Sequence, residues 1–230
     1  MAKKRKRRDL RADAEVKRSA RVSLLAVLCF SCLFLHTAWE KSPTWDEVGY
    51  IGLGAYLIKT GQWDVPASGS HPPLAFYVNS LPSFFFPIDW THWHYPNIVR
   101  DVRFLRMADT ERGNALLLDP RYDGEVFFFL TRATSLVFAF ALFAVLLRWS
   151  REMLPYPRNV LPAFLCALSP NVLAHATLIN TDFALTTTFI CAVFALRSLL
   201  YEPSKSRFIA CGIALGLALL SKLSALVLLP

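Results

Sequence analysis

The chain has 230 residues, 54% of them hydrophobic, and its 25 Lys and Arg against 17 Asp and Glu give a net charge of +8. A chain of this length is ordinarily one or two soluble domains, but here the apolar residues are gathered into long runs, which argues against that class. The positive charge is gathered too: ten of the 25 cations lie in the first 21 residues, so the basic balance does not point to a nucleic-acid partner.

Residues 1–21 read as a basic cytoplasmic tail. Lys3-Lys4-Arg5-Lys6-Arg7-Arg8 also fits a nuclear-localisation patch, but beside a hydrophobic run such a cluster fixes membrane orientation. Residues 22–39 form the first run, long enough for a membrane span, which needs roughly 20 apolar residues. No small-residue cleavage site precedes Glu40, so an uncleaved anchor is expected rather than a signal peptide.

Residues 40–125 form a long loop with eleven Asp and Glu against seven Lys and Arg, the balance expected of a segment moved across the membrane. It is too long to lack structure. Val48, Ile51, Ala55 and Ile58 recur at helical spacing, while Pro72-Pro73, Pro82, Pro87 and Pro96 break longer helices. Trp39, Trp45, Trp63, Trp90 and Trp93 suit short interfacial helices on the outer surface.

The second span is expected over 126–149, with Arg132 as its only charge before Arg148. A cytoplasmic turn at 150–160, a third span at 161–179, an outer turn at 180–182 and a fourth span at 183–200 follow. Another cytoplasmic turn at 201–207 leads to a fifth span at 208–230, whose one charge is Lys222. The fold class is therefore all-α: a polytopic helical membrane protein with five spans and a long first outer loop. The amino terminus is cytoplasmic in this reading, and basic residues flank both inner turns. All five cysteines fall within the apolar runs, so no disulfide framework is implied.

Candidate chemistry centres on Asp46 and Glu47. Thr44-x-x-Glu47 is a capping box, worth about 1 kcal/mol, and it accounts for Glu47 without catalysis. Asp46 has no such explanation. Arg132 lies about 10 Å below the outer end of its span and Lys222 about 21 Å along its own, at 1.5 Å per residue. That puts both cations at the depth of Asp46, Glu47, His71 and Asp182. Charges inside a membrane are costly and point to function, although snorkelling to the interface is the plain alternative. His175 stands one heptad before Asp182. His92-x-His94 has metal-binding spacing but sits among aromatics.

Thr44-Trp45-Asp46-Glu47, Lys59-Thr60-Gly61, His71-Pro72-Pro73-Leu74, Ser169-Pro170-Asn171, Ala174-His175, Thr181-Asp182 and Gly216 to Lys222 occur in an order that resembles the amino-terminal half of glycosyltransferase family 39. That family includes protein O-mannosyltransferases and aminoarabinose transferases and has the GT-C membrane fold. The resemblance implies an inverting transferase of the plasma or inner membrane. It would move a sugar from a polyprenyl-phosphate donor to a protein, lipid or glycan hydroxyl, with its active site extracytoplasmic. Asp46 would be the base, with Glu47 beside it. Arg132, Lys222, Asp182, His71 and His175 would bind substrate. The acceptor and any use of a divalent metal ion stay open, and membrane lipids are the other expected partners. Complete members continue beyond the point matching Pro230, so the chain reads as a fragment or truncated form, and an inactive fragment of such a transferase is an alternative reading. A transporter or lipid-handling protein without a bond-making step is the competing reading.

Overall fold

In the computed structural model the described residues are 2–61, 71–88 and 102–229, and they form helices joined by short turns, with no strand among them. Trp63, Trp90, Trp93, His92, His94 and Pro96 lie outside the described residues. Helix α1 runs from Ala2–Glu40, α2 from Trp45–Thr60, α3 from Leu74–Ser80 and α4 from Val102–Leu117. These are followed by α5 (Gly124–Ala133), α6 (Leu136–Met153), α7 (Leu161–Ala167), α8 (Pro170–Ala176), α9 (Thr181–Tyr201) and α10 (Lys205–Ser221).

Among the described residues three helices are long and apolar enough to cross a membrane: Ala14–Glu40, Gly124–Met153 (α5 and α6 together) and Thr181–Tyr201. Arg158–Ala167 with Pro170–Ala176 makes a fourth if the two halves, bent by 56°, count as one span. The bend falls where Pro170 has no N–H to give and Ser169 caps the new helix, accepting from Val172 N at 3.4 Å. Helix α10 has 17 residues. The expected fifth span is interrupted at Lys222, which adopts extended backbone (φ −162°, ψ 142°) before a 3-10 turn over Leu223–Leu228.

The core between α1, α6, α7, α8 and α9 is built from Phe30, Phe34, Phe138, Phe143 and Phe183, with alanines at the crossings. Phe30 and Phe143 meet edge-on at 5.2 Å. At the end of the bundle near the basic tail, Ser19 Oγ donates to Asn159 Oδ1 (3.3 Å) and Ser150 Oγ to the Asn159 carbonyl (2.7 Å). Arg197 pairs there with Glu152 at 2.7 Å. The loop that begins at Glu40 and the α8–α9 turn lie at the opposite end, which holds the candidate site.

Helix α2 is enclosed by its neighbours. It is buried from Ile51 to Leu57 and packed between α3 and α4. Contact with α4 runs backbone to backbone, because a Cβ on Gly52 would stand 2.1 Å from the Asp109 carbonyl oxygen and one on Gly113 1.9 Å from that of Val48. Only glycine permits this approach. Arg112 pairs with Asp109 at 3.2 Å and lies 5.1 Å over the Tyr56 ring, closing the same interface.

Candidate active site

Helix α1 ends at Glu40 with no basic residue in its last turn. Its terminal carbonyls therefore need donors from elsewhere, and Arg132 supplies them from the last turn of α5. The guanidinium Nη1 donates to the carbonyls of Ala38 (3.0 Å) and Lys41 (2.6 Å), and Nη2 donates to that of Ser42 (3.1 Å). The other two N–H groups go to one carboxylate, Nε to Glu47 Oε1 at 2.8 Å and Nη2 to Oε2 at 2.7 Å. All five donors of this side chain are used. Its flat face lies 4.2 Å from the Phe128 ring centre, adding cation–π attraction.

Glu47 is equally saturated. Oε2 also accepts from Thr44 N (3.0 Å) and Thr44 Oγ1 (2.9 Å), completing the capping box, and Oε1 accepts from Ile179 N (3.0 Å). The Arg132 and Glu47 side chains are 0% and 1% exposed. A fork-to-fork ion pair with every lone pair and proton engaged is the one geometry that offsets the desolvation of two buried charges. The lock joins the end of α1, the start of α2, α5 and the α8–α9 turn. Both side chains are engaged entirely within the protein.

The α5–α6 break, two residues beyond Arg132, is held by hydroxyls and one amide. Thr131 Oγ1 donates to the Phe128 carbonyl and Thr134 Oγ1 to that of Thr131, while Ser135 N turns to the Arg132 carbonyl at 2.9 Å. Asn79 of α3 reaches across with Nδ2 to the Thr131 carbonyl (3.1 Å) and to Ser135 Oγ (2.7 Å). Such side-chain bonds compete with the helical ladder and stop it. Sequence patterning did not single out Asn79, since a lone asparagine in a loop carries no periodic signal.

Asp46 is exposed in the first turn of α2 and has no hydrogen-bond or ion-pair partner among the described residues. One residue from the lock, it is held at a fixed place while its carboxylate meets water. Asp182 is likewise exposed in the first turn of α9, which Asn180 caps by accepting from Asp182 N and Phe183 N at 3.0 and 3.1 Å. Lys222 Nζ reaches Asp182 Oδ1 at 2.5 Å. Lys222 is 29% and Asp182 52% exposed, so this pair is open to water. Its geometry depends on a buried contact one residue back, where the hydroxyls of Ser221 and Thr188 lie 3.0 Å apart and tie the end of α10 to α9.

Because Glu47 is bonded to Ile179, the start of α2 is tied to the turn that carries Asp182, and Lys222 comes with it. His71 is half-buried, with its ring 6.2 Å from that of Tyr50. His175 is exposed in the last turn of α8, where its carbonyl accepts from Asn180 Nδ2 at 3.2 Å. Among the described residues no group of three or more His, Cys, Asp or Glu side chains comes together to hold a metal ion. Asp182, expected to bind substrate, faces Lys222.

Behind the lock, at the α4–α5 turn, Arg121 chelates Asp119 and holds its carboxyl below the ordinary 3.8. Tyr122 donates to the Leu116 carbonyl at 2.6 Å. Burial first, then the nearby Asp119 charge, pushes its phenol up to about 12.

Apolar helices of spanning length, broken where polar groups gather at one end, define a polytopic helical membrane protein. Residues 126–230, from α5 to the last residue, match the family model described as dolichyl-phosphate-mannose-protein mannosyltransferase. Over that stretch the chain is similar to that family of membrane glycosyltransferases. Arg132, His175, Asp182 and Lys222 lie inside the match, whereas Asp46, Glu47 and His71 precede it. Comparison with curated proteins and with solved structures finds no match.

Proposed function

We propose that this chain carries the catalytic end of an inverting glycosyltransferase that takes a sugar from a polyprenyl-phosphate donor and gives it to an acceptor hydroxyl. The reaction takes place on the extracytoplasmic face of the membrane, with the amino terminus in the cytoplasm. One observation carries the reading: Asp46 is a carboxylate with no partner among the described residues, fixed beside a fully saturated buried ion pair, at the end of the bundle where Lys222 also emerges.

Asp46 takes the proton from the acceptor hydroxyl as that oxygen attacks the anomeric carbon. The bond from the anomeric carbon to the phosphate oxygen breaks, and the electron pair leaves with the polyprenyl phosphate. Attack opposite the leaving group inverts the configuration. Charge that grows on the departing phosphate needs a cation already in place. Lys222 takes that place, because its pair with Asp182 is open to water and the ammonium can pass from carboxylate to phosphate. Asp182 holds Lys222 until the donor arrives. Glu47 and Arg132 act by position: their lock sets where Asp46 stands relative to the α8–α9 turn. His71 and His175 border this end, His71 against Tyr50 and His175 in the turn before Asp182.

The test is sugar transfer by the full-length protein carrying Asp46→Asn. Turnover is expected to fall by roughly a hundred- to ten-thousand-fold with the fold intact. Wild-type turnover in that variant removes Asp46 as the base.

A further inference from the structure

A cleft of about 590 Å³ opens on the other side of the lock, between the end of α1, the 41–43 segment, α4 and the start of α5. We propose that it is a carbohydrate-binding subsite that seats a sugar ring of the acceptor. This inference rests on the transferase reading for the word acceptor, and on the cleft alone for the word carbohydrate.

The cleft has one broad aromatic wall. Trp39 is 53% exposed at its lip and is held edge-on by Phe129 at a ring separation of 5.2 Å. A rigid indole offers the apolar C–H face of a pyranose a flat surface at little entropic cost. Around it stand Glu40, Lys41, Asn114 and Glu125, all exposed and all lining the cleft. The Glu40 and Glu125 carboxylates have no hydrogen-bond or ion-pair partner among the described residues. They are acceptors awaiting donors.

The ligand that fits is therefore flat and apolar on one face, with several hydroxyl donors at its edge. That is a sugar. An extended peptide offers donors and acceptors in equal number and has no flat face to place on Trp39. A phosphate is repelled by two free carboxylates against one lysine, so the donor's head group is excluded and the acceptor is left. The cleft is also built in advance. Arg132 holds the Ala38, Lys41 and Ser42 carbonyls and lies over the Phe128 ring, and all four of these residues line the cleft. The lock that positions Asp46 thus fixes this wall as well, and Pro43 and Val48 of the same wall lie within three residues of Asp46.

Saturation-transfer NMR on the detergent-purified full chain tests the inference, with methyl α-mannoside and cellobiose as probes. Ring protons of at least one sugar are expected to receive saturation from the protein. Trp39→Leu and Glu125→Gln are each expected to weaken binding by about tenfold, as for loss of one good contact. Inorganic phosphate is expected not to compete. If Trp39→Leu does not fold, Glu125→Gln and Asn114→Ala carry the test. Three results would overturn the proposal: silence from both sugars, a sugar signal untouched by these substitutions, or displacement of the sugar by phosphate. Binding is read without turnover, so failure here leaves the Asp46 assay standing, and failure of Asp46 as base leaves this signal in place.

Discussion

Two ion pairs sit at the same end of the bundle and could hardly differ more. Glu47–Arg132 is sealed from water and fully bonded, and it ties together four segments. Asp182–Lys222 joins the start of one helix to the end of another and stays open to water. A buried pair with every group satisfied is a structural fixture, because releasing either partner strands the other charge away from water. An open pair costs little to separate, and such a pair can exchange one anion for another. The contrast teaches that a charge within a membrane protein is assigned a role by its remaining hydrogen-bond capacity rather than by its presence.

The largest effect should come from breaking the sealed pair. Arg132→Met or Glu47→Gln alone should destabilise the protein by roughly 3–5 kcal/mol, because each leaves an uncompensated buried group. The two together should cost less than the sum. Thermal unfolding of all three variants in one detergent measures this, and additive losses would dissolve the lock. A strong effect is also expected at the interface that holds α2 in place. Gly113→Ala forces a Cβ to within 1.9 Å of the Val48 carbonyl oxygen, and overpacking of this kind costs roughly 1–3 kcal/mol. A Gly113→Ala protein as stable as wild type would mean that α2 and α4 separate easily.

The open pair should respond differently. Lys222→Met should change stability by no more than about 1 kcal/mol while raising the donor KM in transfer assays of the full-length protein. High salt should reproduce part of that KM rise in the wild type, because exposed pairs are screened. A large stability loss with unchanged donor dependence would make Lys222 a second fixture and erase the comparison.

The smallest effect belongs to Asp119. Its carboxyl is held below the ordinary range by Arg121, so its contribution to stability is present above that range. It is lost as the pH falls through the lowered value. Wild type and Asp119→Asn should therefore differ slightly at neutral pH and converge on acidification. A difference that grows in acid would contradict the pairing.

The sequence made some of this legible. Runs of apolar residues predicted a helical membrane protein, since the bilayer admits few other solutions, and Thr44-x-x-Glu47 announced the start of α2 through a local cap. Less legible was the fate of the helix beyond α10, where Lys222 leaves helical geometry next to Asp182, forty residues away in sequence. Periodicity registered Ile51 and Ala55 but not the backbone contact at Gly52 and Gly113, because glycine carries no hydrophobic signal.

What the sequence by itself determined was class and inventory: helices for a membrane, charges at comparable depth, and the difference between a capped Glu47 and an unexplained Asp46. Only the tertiary structure decided which charges are spent. Glu47 and Arg132 are 85 positions apart, and nothing local distinguishes an arginine that will bind substrate from one that closes the end of a distant helix. The carbonyls of Ala38, Lys41 and Ser42 had to be satisfied by some donor. Folding brought Arg132 to them and to Glu47, and it left Asp46 without a partner among the described residues and Lys222 in a pair open to water.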